Sequence, residues 1–491
     1  MRELFFNFFG YAVFFFSLCL ISSYAIMMIL SGWGLLRKKD MTVLSYDKEL
    51  IATSPYTPGV SIVAPAYNEE LTIVENVKSL LDQNYPVFEV IIANDGSTDK
   101  TLEKLIENFG LVEVPYVYIE RINTKPYKRL FKSKLPEYER LTVVDKENGG
   151  TKADAENAGL NVAKYPYFIN TDVDCILSRD AIFQCIKPVL QDKNIIAVSG
   201  AMTMSNGCKV VDGKLLNHKA PWSPVPLFQT LEYMRSYFVG KMAWSAINGM
   251  PNVSGGYGLF NREVMIAAGG YTYDSFAEDM DMLLNAVRYC RNFNRPYKIV
   301  QIPFTCCWTQ GPGNLKILYR QRTRWGRGLF QTFVRHRDLV FNPKYRQMGL
   351  ITLPYLLVFE FLAPIIEVSG LIEFIYLAIR GGINWGGAVV IFFGLYTFCL
   401  LIVVVTMSFD FIAGSTFDKN REYFKVALAG MFEFLFYHPF ITTFSLIGYG
   451  KFLLRTRSKW GKMTRQSYTT VNQENTNANT EVATPSSSVT Q

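Results

Sequence analysis

Apolar residues are spread unevenly along this chain. From Leu4 to Leu36 no charged residue occurs, and Arg37, Lys38 and Lys39 follow at once. That run exceeds the ~20 apolar residues a bilayer-spanning helix needs. A cleaved signal peptide carries its positive charge ahead of an apolar core of only ~7–15 residues, so the pattern predicts a retained transmembrane anchor. The basic cluster then puts the following residues in the cytoplasm.

Between Asp40 and Asn342 the period changes. Short strand-like runs such as Val60-Ser61-Ile62-Val63 and Val90-Ile91-Ile92 alternate with amphipathic helical stretches, the pattern of a soluble α/β domain. The uncharged window from Met242 to Phe260 is interrupted by Gly, Pro and Asn and reads as a loop. The chain turns apolar again at Ile351 to Ile379, Trp385 to Phe409 and Tyr423 to Leu454. Three full crossings would leave Arg455, Arg457, Lys459, Lys462 and Arg465 outside, against the positive-inside rule. Either the first stretch lies at the interface, with Glu360 and Glu367 on one helical face, or the last re-enters at Glu433 and His438-Pro439. From about Thr464 to Gln491 the Thr, Ser, Asn and Gln content predicts a disordered tail. The expected divisions are an anchor over 1–40, an α/β domain with interfacial helices over 41–345, a transmembrane region over 346–455, and a basic segment and tail over 456–491.

Composition agrees with a membrane protein: of 491 residues 15% are aromatic and only 19% charged. The net charge of +8 comes from Lys/Arg clusters that flank apolar stretches, and no nucleic-acid recognition motif accompanies them. The eight cysteines include no Cys-x-x-Cys pair and are joined by only three histidines, which argues against a zinc site or a disulfide framework.

The chemistry-bearing residues come in series. One strand runs into Pro65-Ala66-Tyr67-Asn68-Glu69, and the next ends at Asn94-Asp95-Gly96-Ser97; polar residues at the carboxyl ends of adjacent strands are where open α/β sheets bind ligands. Alone, Asp95-Gly96-Ser97 reads first as a turn and helix cap and identifies nothing. Tyr167 to Asp174 is an apolar strand ending in Asp172 and Asp174, two carboxylates that alternation points to the same side. Such a pair suits Mg2+ or Mn2+ shared with a substrate's phosphates, although one Asp-x-Asp is expected by accident in a chain this long. Glu278-Asp279 opens a helical run after Gly269-Gly270-Tyr271, where Asp279 also reads as a cap. Gln321-Arg322-Thr323-Arg324-Trp325 lies in a basic stretch before the membrane region. Its arginines read as a lipid-facing surface helix, or as guanidinium for a diphosphate with an indole face for a sugar ring.

Taken in order, these motifs resemble those of the membrane-integrated family 2 glycosyltransferases, which make cellulose, hyaluronan and poly-N-acetylglucosamine, over roughly Val60 to Arg337 and the flanking membrane segments. The resemblance implies a GT-A (Rossmann-like) domain between N- and C-terminal transmembrane helices. In it Asp95 would contact the nucleotide base, Asp172 and Asp174 the diphosphate and its metal, and Asp279 would be the general base. Gln321, Arg324 and Trp325 match the Gln-x-x-Arg-Trp signature of processive members. Gly149-Gly150-Thr151-Lys152-Ala153 is similar to the lysine-containing segment near the donor, and is equally a glycine-rich turn before a helix. Glu69 is expected at the donor, and Glu278 and Trp325 at the acceptor. Ala277 stands where the family commonly has threonine, which removes a hydroxyl beside the base.

The implied activity is metal-dependent inverting transfer from a UDP-sugar, UDP-N-acetylglucosamine by preference, to a growing β-linked polysaccharide at the cell (inner) membrane, with the catalytic domain cytoplasmic. The alternatives are a transferase adding one sugar to a lipid or short glycan, and a catalytically silent transport or scaffold protein. Expected partners are the donor, a glycan or lipid acceptor, the bilayer and an accessory export subunit, and no nucleic acid.

Overall fold

The computed structural model describes residues 2–37, 42, 45–115 and 117–456. Lys38, Lys39 and the expected tail lie outside the described residues. The strands are β1 (Val60–Ala66), β2 (Phe88–Asp95), β3 (Leu111–Glu113), β4 (Tyr127–Ser133), β5 (Leu141–Lys146), β6 (Tyr167–Thr171), β7 (Ile176–Leu177), β8 (Ile195–Met204), β9 (Val210–Val211), β10 (Lys214–Leu215), β11 (Tyr257–Asn261) and β12 (Lys298–Thr309). Ten form one sheet in the order β3-β4-β5-β2-β1-β6-β11-β8-β12-β7, and β9 and β10 make a separate hairpin.

The centre of the sheet is parallel: β1 runs with β2 and β6, and β2 with β5. Its strands are buried on both faces, so they read as nearly continuous Val/Ile runs. Ile62 and Ala64 enter one core while Val63 between them enters the other. The chain steps outward from β1 to β2 and β5, then returns to the opposite side of β1 as β6. That reversal opens a crevice at the carboxyl ends of β1 and β6. Beyond β6 the sheet is mixed, with β11 antiparallel to both β6 and β8. The Met242 to Phe260 window becomes the helix Met242–Ala246, a loop and most of β11, not a span.

Among the described residues, four helices are long and apolar enough to cross a membrane: Gly10–Leu36, Met348–Arg380, Trp385–Ala413 and Asn420–Leu453. The first is rooted in the α/β domain, with Leu35 buried in a core and the Ser31 hydroxyl donating to the Phe238 carbonyl. Met348, Leu353 and Leu356 are likewise buried in the domain, so the free length of the second begins near the 17-residue helix Ala363–Ile379.

Asn420–Leu453 differs from the others because both of its ends return to the α/β domain. Near its start, Glu422 accepts from the Ala220 amide, and Glu433 takes a bidentate pair from Arg235 at 2.7 Å. At the break before Pro439, His438 and Thr442 meet Glu367 at 3.0 and 2.9 Å. The helix then packs against the helix Leu315–Arg335, and beyond its end Arg327 donates to the Thr456 carbonyl at 2.5 Å. Two glycines permit this approach: a Cβ on Gly448 would lie 2.6 Å from the Thr323 carbonyl oxygen, and one on Gly326 2.7 Å from that of Ser445. Glu367 therefore faces the last apolar stretch.

Candidate active site

The loops after β1 and β2 are held by each other. Asn68, at φ 57°, accepts from the Thr98 amide at 2.8 Å, and its own amide donates to the Ser97 hydroxyl at 3.1 Å. The Glu69 amide donates to the Thr101 hydroxyl at 2.8 Å, which fixes Glu69 at the rim of the crevice. Gly96 must be glycine: it has φ +64°, and a Cβ would lie 2.8 Å from the Asn148 nitrogen. The buried Asp95 carboxylate accepts from Lys146 Nζ at 2.7 Å and from the Gly149 amide at 2.9 Å. Lys146 is fully buried and also pairs with Asp154, so the glycine-rich segment is tied to the end of β2.

Lys152, first residue of the helix Lys152–Val162, joins the next group. Its Nζ lies 2.7 Å from Asp172, 3.0 Å from Glu156 and 3.9 Å from Glu278, and donates to the Gly255 carbonyl at 2.9 Å. Burial works against the ammonium, but the Asp172, Glu156 and Glu278 carboxylates outweigh it and hold its pKa well above the usual lysine value. Glu156 is itself pushed up to about 8, by burial first, with Lys152 opposing. Asp172 keeps 39% of its side chain exposed. One oxygen from each of Asp172 and Asp174 and the Cys175 sulfur all lie within 4.8 Å of one another.

Asp279 sits one residue into the helix Glu278–Asn292, whose Ala277 N-cap supplies no side-chain bond. Its carboxylate accepts from the Gly255 amide at 3.1 Å and the Met280 amide at 2.8 Å. Burial and the Glu278 charge raise its pKa above the ordinary aspartate value, against Lys241 and Lys152. Arg324 brings a guanidinium within 3.9 Å of Glu278. Lys152, Asp172, Glu278, Asp279 and Arg324 thus converge in one cluster, with Asp174 beside it and Asp95 linked through Lys146 and the glycine-rich segment.

In the basic helix Leu315–Arg335 one arginine, Arg322, departs from the lipid-facing reading, while Lys316 and Arg320 are exposed. Arg322 is 4% exposed and makes a bidentate pair with Glu232 at 2.5 and 2.6 Å, with the Tyr437 hydroxyl at 3.2 Å. Trp325 lies under that guanidinium at 4.3 Å, and Gln321 accepts from Gln229 at 2.8 Å.

Two buried residues beside this cluster are not apparent from motifs. Glu156, one helical turn after Lys152, is legible only through i,i+4 spacing. Lys241 ends a π-helical turn, Ser236–Lys241, is 7% exposed, and stacks on Tyr237 at 4.6 Å. Burial lowers its pKa to about 8, with Asp279 opposing. No sequence pattern announces it.

The family model described as glycosyl transferase family 2 matches residues 61–114 and 124–265, and that described as glycosyl transferase family group 2 matches residues 226–412. Poly-beta-1,6-N-acetyl-D-glucosamine synthase of Staphylococcus aureus (strain COL) is 26% identical over 310 residues, 63% of this chain and 62% of that protein. The Staphylococcus epidermidis protein of the same name is 27% identical over 307 residues, 62% of each. The match thus spans less than two thirds of these relatives' own length. Among solved structures, the mannosyltransferase PcManGT from Pyrobaculum calidifontis, in complex with GDP-Man and Mn2+, superposes with a TM-score of 0.51 at 17% identity, covering 88% of this chain and 99% of that one. The likeness extends the GT-A-type α/β fold to this chain, with apolar helices on either side. Two overlapping family models that run through the crevice, its carboxylates and the apolar helices beyond them establish that the chain belongs to the family 2 glycosyltransferases.

Proposed function

We propose that the protein transfers a sugar from a UDP-sugar, UDP-N-acetylglucosamine by preference, to the end of a growing β-linked glycan, with inversion at the anomeric carbon. The observation that carries this reading is the convergence of Asp172, Lys152, Glu278, Asp279 and Arg324 at the carboxyl end of β6. The donor preference rests on the similarity to the two poly-N-acetylglucosamine synthases.

Asp172 and Asp174 suit a hard divalent cation, being two carboxylates within 4.8 Å with one of them partly open. Asp172 and Asp174 would hold Mg2+ or Mn2+, which would supply positive charge beside the departing diphosphate. Asp95 and Glu69 border the nucleotide side. Arg324 has a planar fork matched to phosphate oxygens, and Lys152 adds a second cation beside Asp172. Asp279 removes the proton from the attacking sugar hydroxyl. Its raised pKa brings it closer to the operating pH, where a general base works best, and two backbone amides fix its carboxylate. Glu278 and Trp325 serve the acceptor, and Gln321, one turn before Arg324, serves the donor. One displacement of this kind converts an α-linked donor into a β-linked product.

The catalytic domain lies on the cytoplasmic side, and the last apolar stretch re-enters rather than crosses. Support comes from its contacts at both ends with the α/β domain. Two C-terminal crossings then return the basic segment from Arg455 to the cytoplasm, in keeping with the positive-inside rule.

The test is incorporation by purified protein in lipid from a panel of radiolabelled UDP-sugars with Mg2+ or Mn2+, with the product sized on a gel. High-molecular-weight product from one donor is expected. A short lipid-extractable product would replace polymer synthesis with single addition, and no incorporation from any donor would overturn the reading.

A further inference from the structure

One face of the helix Leu315–Arg335 grips the segment that carries Asp279. Arg324, Arg327/Gly328, Gln331 and Arg335 follow one another at helical spacing along that face. Gly328 meets the segment flush: a Cβ there would lie 2.9 Å from Ala277 Cβ and 3.0 Å from the Phe276 carbonyl. The Arg327 guanidinium covers the Phe276 ring at 4.1 Å. Gln331 then bridges two backbone groups, its Oε1 accepting from the Phe276 amide at 2.9 Å and its Nε2 donating to the Asp274 carbonyl at 2.8 Å. At the end of the helix Arg335 pairs with Asp274 at 2.7 Å and with Asp281, whose other oxygen lies 2.9 Å from His336 Nε2. Asp281 and His336 are 0% and 1% exposed in their side chains.

These contacts matter because the Asp279 helix lacks a cap of its own at Ala277. Besides the Ser275 hydroxyl, which accepts from the Ala277 amide at 3.1 Å, its start is held from outside, by side chains on the helix that also brings Arg324 to Glu278. We propose that Gln331 is a positioning residue for the transfer step: its two backbone bonds, with the Arg335–Asp281–His336 cluster behind them, set the register of Asp279 against Arg324. The bridge couples the group that takes the acceptor's proton to the group that faces the diphosphate, and it touches neither substrate. The inference rests on the proposed role of Asp279 as base.

The experiment compares Gln331→Met, which removes both bonds at similar length, and Gln331→Glu, which keeps the acceptor for the Phe276 amide, with wild type and with Asp279→Asn. Steady-state kinetics, UDP binding and the thermal unfolding midpoint are measured on the full chain in lipid. Small misplacements at a reacting centre cost up to about 100-fold, so Gln331→Met is expected to lower kcat roughly 10-fold or more. The donor KM and UDP affinity should stay within about twofold, and Gln331→Glu should recover part of the rate. An unchanged kcat in Gln331→Met, or matching losses of kcat, UDP binding and unfolding midpoint in both variants, overturns the positioning role. Full activity in Asp279→Asn would instead sink the reading on which it rests.

Discussion

Replacing Arg322 by glutamine tests the buried junction between the signature helix and the helix Pro224–Arg235. In the folded protein the guanidinium spends two N–H groups on Glu232 at 2.5 and 2.6 Å and reaches the Tyr437 hydroxyl at 3.2 Å, with only 5% of its side chain exposed. Removing one partner of a buried pair leaves an uncompensated charge and costs about 3–5 kcal/mol. Glu232 keeps 22% of its side chain exposed, and the Tyr437 hydroxyl still donates to it at 2.9 Å, so a value near the lower end, about 3 kcal/mol, is expected. Removing both charges as Arg322→Gln with Glu232→Gln should cost less than the sum of the singles by at least about 1 kcal/mol, the coupling expected of residues in direct contact. Equilibrium unfolding in mixed micelles of the wild type, both singles and the double measures the cycle. Singles within about 0.5 kcal/mol of wild type, the range of ordinary surface substitutions, or strictly additive losses, would refute the buried-pair argument and restore the lipid-facing reading of Arg322.

Three further outcomes are expected. The acid limb of kcat/KM should lie above the ordinary aspartate range, because burial and Glu278 raise Asp279 and the base is ionised only above that pKa. In Lys241→Met the acid limb should move higher, because the ammonium opposes the rise of the Asp279 pKa; an unchanged profile would show that Lys241 does not act on Asp279. Single cysteines at Asn420 and Thr456, placed in a background lacking reactive thiols, should be labelled from the side of the α/β domain, and one at Gly381 from the other; opposite labelling of 420 and 456 would mean that the last stretch crosses. Asp174→Asn should weaken Mn2+ binding at least about tenfold, in line with loss of a charged oxygen ligand, as read by electron paramagnetic resonance of the free ion, and unchanged binding would move the metal elsewhere.

The α/β alternation, the apolar helices and the strand-end carboxylates were legible because each depends on local pattern: short continuous apolar runs for β1 and β2, a period of 3.6 for the amphipathic helices, and a long run of uncharged residues for the anchor. Their convergence was not, since Asp172 and Asp279 are brought together by β11 inserting antiparallel beside β6, and pairing order across a sheet leaves no mark in local composition. The arginines of the signature helix show the same limit. Arg322 and Arg324 are two residues apart and equally basic in sequence, yet their directions on the helix differ enough that one is buried against Glu232 and the other approaches Glu278. The parity of the C-terminal stretches stayed open for a related reason: apolar length is equally compatible with crossing a bilayer and with lying along a protein face. The Gly326 and Gly448 contacts with Ser445 and Thr323, which favour the second, are long-range. Lys241 was missed outright, because a lone lysine becomes informative only once its burial is known.

The central claim is that Asp279 acts in transfer and not in holding the donor. Purified Asp279→Asn in lipid should bind UDP within about twofold of wild type, as uniform binding is untouched, while single-turnover transfer from the preferred labelled UDP-sugar falls by at least about 100-fold, the low end of what a general base contributes. Transfer at the wild-type rate, or loss of UDP binding in parallel with loss of transfer, would contradict the account.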